Sequence, residues 1–187
     1  MKKPVFDGIV EKIGEKRYKH ILRVAETAVA LAKEHDLDIE KAETAALFHD
    51  ICKYKDADLL WKEAERLKVE HLDRFKAFPQ VLHGYVAEQV AKIDYGITDE
   101  EVLRAIRYHT TGIDHMSPLE EVIFLADYLE PMRDFDGVDR LREMAKDDLD
   151  KAMAASVQNN LLFLVQRGGP IFPDTVRCYN DYMERIG

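Results

Sequence analysis

Apolar residues recur at helical spacing along almost the whole chain, and no run alternates in the two-residue rhythm of a strand bounded by hairpin residues. That periodicity leaves one fold class, all α. The clearest stripe is Tyr18, Ile21, Leu22, Ala25, Val29 and Ala32, which predicts a helix over 15–35. Further helices are predicted over 39–53, with Asp38 as N-cap, over 57–67, and from about 82, where Val86, Ala87, Val90 and Ala91 turn inward. The pairs Thr98/Glu101 and Ser117/Glu120 read as capping boxes. The first opens a helix through His109, and the second, with Pro118 at its first position, a helix ending by Pro131. A long helix over 148–167 is halted by Gly168 and Gly169, and a last one follows Pro173. With 187 residues and no repeat, a single domain over 1–187 is expected, its segments 148–187 packed on the core.

A net charge of -9 argues against a nucleic-acid surface, because phosphate backbones are gripped by clustered Lys and Arg. A local cationic cluster for a small anion is compatible with it. The two cysteines, Cys52 and Cys178, form no spaced framework, and no secretory leader is recognisable, so a cytoplasmic location with free thiols is expected. No apolar run approaches the roughly 20 residues of a spanning helix, so no membrane partner is expected. A homodimer is left open, with Trp61 and its neighbours Leu59, Leu60, Ala64 and Leu67 read as core or as a dimer face.

Titratable residues interrupt several of the apolar stripes. His49 lies at i+7 from Ala42, His109 at i+3 from Ile106, and Asp127 at i+4 from Ile123; His20 and His83 lie at stripe edges, and Asp50 adjoins His49. A single inward histidine is ordinarily a core imidazole bonded to a carbonyl. Six such groups from five helices sharing one core need another explanation, because buried charges persist only when paired or bound to metal. Mixed imidazole and carboxylate donors suit Fe, Mn, Co, Ni or Zn. Neighbours such as His49 and Asp50 project about 100° apart on a helix. Either both reach one ion, or Asp50 bridges two.

In order along the chain, His20, then the doublet His49-Asp50, then Asp127 resembles the signature of the HD-domain metal-dependent phosphohydrolases. The segments "RYKHILRV", "ALFHDICK", "AIRYHTTG", "FLADYLEPMR" and "IFPDTVRCYN", spanning about residues 15 to 182, are further similar to the YqeK-type bacterial branch. That resemblance implies an HD-type helical bundle, iron at His20, His49, Asp50 and Asp127, and symmetrical hydrolysis of diadenosine tetraphosphate to two ADP. It gives His83 and His109 either a second metal position or a contact to phosphate, and with Asp50 makes them the catalytic candidates. The alternatives are hydrolysis of another nucleotide, such as a deoxynucleoside triphosphate or guanosine alarmone, and a nucleotide sensor that does not turn its ligand over.

A phosphoanhydride substrate suits the remaining residues. A bound divalent ion polarises a phosphoryl oxygen and lowers the pKa of bound water to near 7. Lys53, Arg133 and Arg17 are candidate phosphate-binding charges, with Arg23 beside His20 a further one, and Thr110 offers a hydroxyl or backbone N–H. In the Gly- and Pro-rich connector 168–177, Phe172 is a candidate stacking ring and Arg177 a phosphate contact. Asp174 or Thr175 would cap the last helix behind Pro173, so that the C-terminal segments complete a nucleotide pocket.

Overall fold

The computed structural model describes residues 8–187; residues 1–7 of the expected single domain lie outside the described residues. Among the described residues the regular structure is ten α-helices and two 3-10 turns, with no strand. The helices are α1 (Ile9–Ile13), α2 (Glu15–Glu34), α3 (Ile39–Phe48), α4 (Ala57–Arg66), α5 (Leu82–Ile93), α6 (Glu100–Tyr108), α7 (Pro118–Leu129), α8 (Val138–Asp147), α9 (Leu149–Gln166) and α10 (Pro173–Ile186). Their starts follow cap chemistry. Asp38 accepts from the backbone N–H groups of Glu40 and Lys41, and Ser117 and Glu120 complete a reciprocal capping box behind Pro118.

α2 packs against α3 and α7, α6 joins α3, α5 and α7, and α9 lies against α7, α8 and α10. Alanines make the α2–α3 approach close: Ala25, Ala28 and Ala32 face a partner that buries Ala42, Ala45 and Ala46. Larger groups, including Ile21, Leu103, Ile106, Ile123 and Leu125, fill the space around them and are fully buried. Burying one such chain stabilises the fold by about 1.5–3 kcal/mol.

Five features differ from the sequence reading, the first being α1, ahead of the helix predicted from residue 15. The helix that opens "TDEE" is capped by Asp99, not Thr98: its carboxylate accepts from the N–H groups of Glu101 and Val102, and Glu101 is turned instead to Lys41. α3 ends at Phe48, so His49 and Asp50 sit in tight turns beyond it, where the N–H of Ile51 donates to Phe48 O. α10 has Phe172 as N-cap, with no side-chain cap from Asp174 or Thr175. The segment between Pro131 and Asp148 contains α8, for which no helix was predicted; its capless start at Gly137 and polar composition hide a narrow stripe of Val138, Leu141 and Ala145. Trp61 is partly buried against the core, and Ala64 and Leu67 are buried. No helix among the described residues is long and apolar enough to cross a membrane.

Candidate metal centre

Six side chains meet where α2, α3, α5, α6 and α7 converge: His20 from the middle of α2, His49 and Asp50 from the turn after α3, His83 from the first turn of α5, His109 at the end of α6, and Asp127 from α7. The close approach of α5 to α6 depends on Gly84. A Cβ there would lie 2.7 Å from the carbonyl oxygen of Arg107, so only glycine lets His83 reach His109. After His109 the chain turns through Gly112, whose φ of 62° and contact with Cys178 exclude a side chain.

The outer nitrogens set the tautomer that each imidazole takes as a metal ligand. His49 Nδ1–H donates to Ala46 O at 2.6 Å, His83 Nδ1–H to Gln80 O at 2.8 Å, and His109 Nδ1–H to Ile106 O at 2.8 Å. His20 Nδ1–H faces the Glu130 carboxylate at 3.1 Å. A neutral imidazole that donates from Nδ1 presents a bare lone pair at Nε2. All four Nε2 atoms point into the cluster. Burial pushes the His49 pKa down to about 4, against the pull of Asp50, and burial likewise lowers His83 to about 4. Both rings are therefore neutral near pH 7, as a metal ligand must be.

Asp50 joins two sets of nitrogens. Its Oδ2 lies 3.7 Å from His20 Nε2 and 3.6 Å from His49 Nε2, while Oδ1 lies 3.1 Å from His83 Nε2 and 3.6 Å from His109 Nε2. Asp127 Oδ1 is 3.0 Å from His20 Nε2. Burial alone would raise the Asp50 pKa, but His49 and contacts with His109 and His83 hold it well below the usual carboxylate range; Asp127 is also held low, against burial, chiefly by His20 and His49.

The fit to a metal rests on what the protein leaves unsatisfied. His20 Nε2, His49 Nε2 and Asp50 Oδ1 are buried without a hydrogen-bond partner, despite the short separations around them. His83 Nε2 and His109 Nε2 face one another at 3.1 Å, with the Thr110 hydroxyl 2.9 Å from His109 Nε2 and the Asp50 carboxylate beside both. Buried polar atoms without partners are costly. A divalent cation satisfies lone pairs and carboxylates together. Three overlapping triads have donors close enough to hold one: His20/His49/Asp50, His49/His109/Asp127 and Asp50/His83/His109.

The predicted charges are close by but already engaged. Arg17 donates to Asp50 Oδ2 at 2.8 Å, Lys53 Nζ lies 3.6 Å from Asp50 Oδ1, and Arg133 donates to Asp127 Oδ1 at 2.7 Å. Lys53, Thr110 and Arg133, with His109 and Asp127, line a cavity of about 500 Å³.

The 172–177 segment is placed differently from expectation. Phe172 is buried and stacked on Phe75 at 5.9 Å, so its ring is core and not a free stacking surface. Asp174 and Thr175 are buried behind Pro173. Asp174 accepts from Tyr85 and Arg74 and pairs with Arg177, so that arginine is turned to a neighbour's carboxylate. None of these residues lines the cavity beside the cluster.

Sequence reasoning missed two groups. Glu130, which receives His20 Nδ1–H and the Arg23 guanidinium at 2.6 Å, stands three residues after Asp127 in the quoted "FLADYLEPMR". The cavity wall from α9, including Asn159, Asn160 and Phe163, corresponds to the polar pair and apolar run "NNLLF", whose spacing predicts a helix and nothing of a wall.

Comparison with known proteins agrees with this geometry. The HD domain family model matches residues 17–132. The chain is 42% identical over 174 residues to a Staphylococcus aureus protein named bis(5'-nucleosyl)-tetraphosphatase, symmetrical, covering 92% of this chain and 89% of that one. A Halalkalibacterium halodurans protein of the same name is 43% identical, covering 90% of each chain. A crystal structure of an HD superfamily hydrolase from Clostridium acetobutylicum, described as involved in NAD metabolism, superposes with a TM-score of 0.89 at 41% identity, covering 96% of this chain and 95% of that one. Helical fold, histidine and aspartate cluster, and family match agree: the chain belongs to the HD domain family, among relatives that are symmetrical bis(5'-nucleosyl)-tetraphosphatases.

Proposed function

We propose that this protein hydrolyses diadenosine tetraphosphate symmetrically, giving two ADP, with a divalent metal held by the His/Asp cluster. The observation that carries the chemistry is the convergence of four imidazole Nε2 lone pairs and two carboxylates, several of them buried without a partner. The substrate assignment is supported by relatives of 42% and 43% identity that bear that activity in their names.

His20, His49, Asp50 and Asp127 would hold the metal, and His83 and His109 would complete a second position on the other side of Asp50 or meet phosphate directly. The donors include no thiolate, and among the metals that accept imidazole with carboxylate the family resemblance points to iron. A divalent ion held by these residues would supply a Lewis acid for a phosphoryl oxygen and would lower the pKa of a bound water.

The protein's own residues do the rest. Lys53 and Arg133 stand where the cavity meets the cluster and offset phosphate charge, and Thr110 offers its hydroxyl. Arg17 neutralises Asp50 from the partly exposed side. Water oxygen bonds to one of the two inner phosphorus atoms, the central bridging P–O bond breaks, and the bridging oxygen departs with the second ADP.

Product chromatography after reconstitution with single metals tests the reading. Two ADP per substrate, with one solvent oxygen-18 in one of the two, is expected. ATP plus AMP would refute symmetrical cleavage, and no turnover with any of Fe, Mn, Co, Ni or Zn would refute the hydrolase assignment.

A further inference from the structure

The cavity beside the cluster has two chemically distinct parts. One consists of the cations and metal-ligand candidates already described. The other is built of rings and amides: Phe124 and Tyr128 from α7, Phe135 from the loop behind it, and Leu162 and Phe163 from α9, edged by Asn159, Asn160 and Gln166. The two parts share a helix, since Phe124, Asp127 and Tyr128 stand at i, i+3 and i+4 on α7.

Three of the rings support one another, and Phe163 lines the same cavity from α9. Tyr128 is stacked near Phe124, with centroids 6.3 Å apart, and Phe135 lies 5.0 Å from Tyr128. Phe163, on α9, is 53% exposed, with the Arg167 guanidinium 5.2 Å from its centroid. A large ring left open to water beside a cavity is surface that a ligand can cover. The amides supply donor and acceptor together, the pattern that matches a purine edge, and Asp136 adds an acceptor for an exocyclic amine.

We propose that this second part is a purine-binding arm: one base of the substrate stacks on Phe163 and Tyr128 and is read at its edge by Asn159, Asn160 and Gln166. The inference deepens the proposed phosphohydrolase function and rests on it for the placement of the phosphates. A nucleoside diphosphate has the same polarity as the cavity, anionic at one end and aromatic at the other. A cavity of about 500 Å³ lies within the usual range for a ligand of this size.

Titration calorimetry of the metal-loaded protein with ADP and with inorganic pyrophosphate isolates the base. Wild type is expected to bind ADP about tenfold or more tighter than pyrophosphate, in line with the worth of one base stacked on an aromatic side chain. Phe163→Ala, at an exposed ring whose removal leaves the core intact, is expected to erase most of that difference, and Phe163→Trp to keep it. Equal binding of the two ligands by wild type, or an unchanged ADP preference in Phe163→Ala, would overturn the arm. Phe163-dependent ADP binding without cleavage of diadenosine tetraphosphate would retain the arm and defeat the hydrolase reading; cleavage with no ADP preference would do the reverse.

Discussion

Glu130 and His20 are joined through the ring nitrogen that faces away from the cluster: the carboxylate sits 3.1 Å from Nδ1 and is itself gripped by Arg23 through two nitrogens, at 2.6 and 3.1 Å. Burial would raise the Glu130 pKa, but the Arg23 and Met132 N–H contacts bring it down to about 2, so the group is anionic at neutral pH. An anion behind an imidazole fixes its tautomer and raises the basicity of the opposite nitrogen. Glu130→Gln should therefore weaken metal affinity by roughly 10–100-fold with all six candidate ligands intact. Competition with a chelator measures it, and an unchanged dissociation constant would remove Glu130 from the site.

His49→Ala and Asp50→Ala should each abolish both metal content and hydrolysis, because both belong to the His20/His49/Asp50 triad, the core of the proposed His20, His49, Asp50 and Asp127 ligand set. Elemental analysis alongside turnover decides the matter; wild-type metal and rate in either variant contradicts the assignment.

His83 Nε2 lies 3.1 Å and His109 Nε2 3.6 Å from Asp50 Oδ1, on the opposite oxygen from His20 and His49. Replacing either with alanine should impair turnover while one tightly held ion remains. Complete loss of metal in both variants would show that the ligands divide differently.

Lys53→Ala and Arg133→Ala remove charges about two-fifths exposed at the cavity, 37% and 40%. Each should weaken transition-state stabilisation, lowering kcat/KM by about tenfold or more with little change in Tm. Kinetics identical to wild type would return both residues to the ordinary surface.

The metal-free protein should lose stability as pH falls. His49 and His83 have pKa values near 4 in the fold and an ordinary value of 6.5 when unfolded. The unfolded chain thus binds more protons, and stability is full above about pH 6.5 and declines toward pH 4. The depressed carboxylates of Asp50 and Asp127 act in the same direction at lower pH. Denaturant titrations at pH 7.5 and 5.0 compare the two conditions, and equal midpoints would argue that these imidazoles are not held neutral.

That these candidate ligands converge was legible because a helix allows few reasons for His or Asp on an apolar stripe, and His20, His49, His109 and Asp127 all stand on or beside one. Local spacing showed α2, α7 and α9 for similar reasons: long stripes, strong caps and glycine stops. It failed where context decides. Phe172 reads as a free aromatic in a Pro- and Gly-rich connector, yet Phe75 and Phe78, about a hundred residues earlier, cover it. Arg177 reads as a phosphate-seeking charge, but Asp174, three residues earlier, pairs with it outside the cavity. Nor does spacing reveal that Gly84 permits the approach of two helices, since the obstructing carbonyl belongs to Arg107.

The six candidate ligands lie within residues 20–127, inside the 17–132 stretch shared with the family at large, whereas α9 begins at Leu149, beyond it. The candidate donor atoms and the α9 share of the cavity wall are thus carried on separate lengths of chain, while Phe124 and Tyr128 of the same wall flank Asp127 on α7. Substitutions confined to one side of one late helix can retune which molecules are admitted while every donor atom stays in place, so evolution, or an engineer, can alter selectivity here without having to rebuild the chemistry.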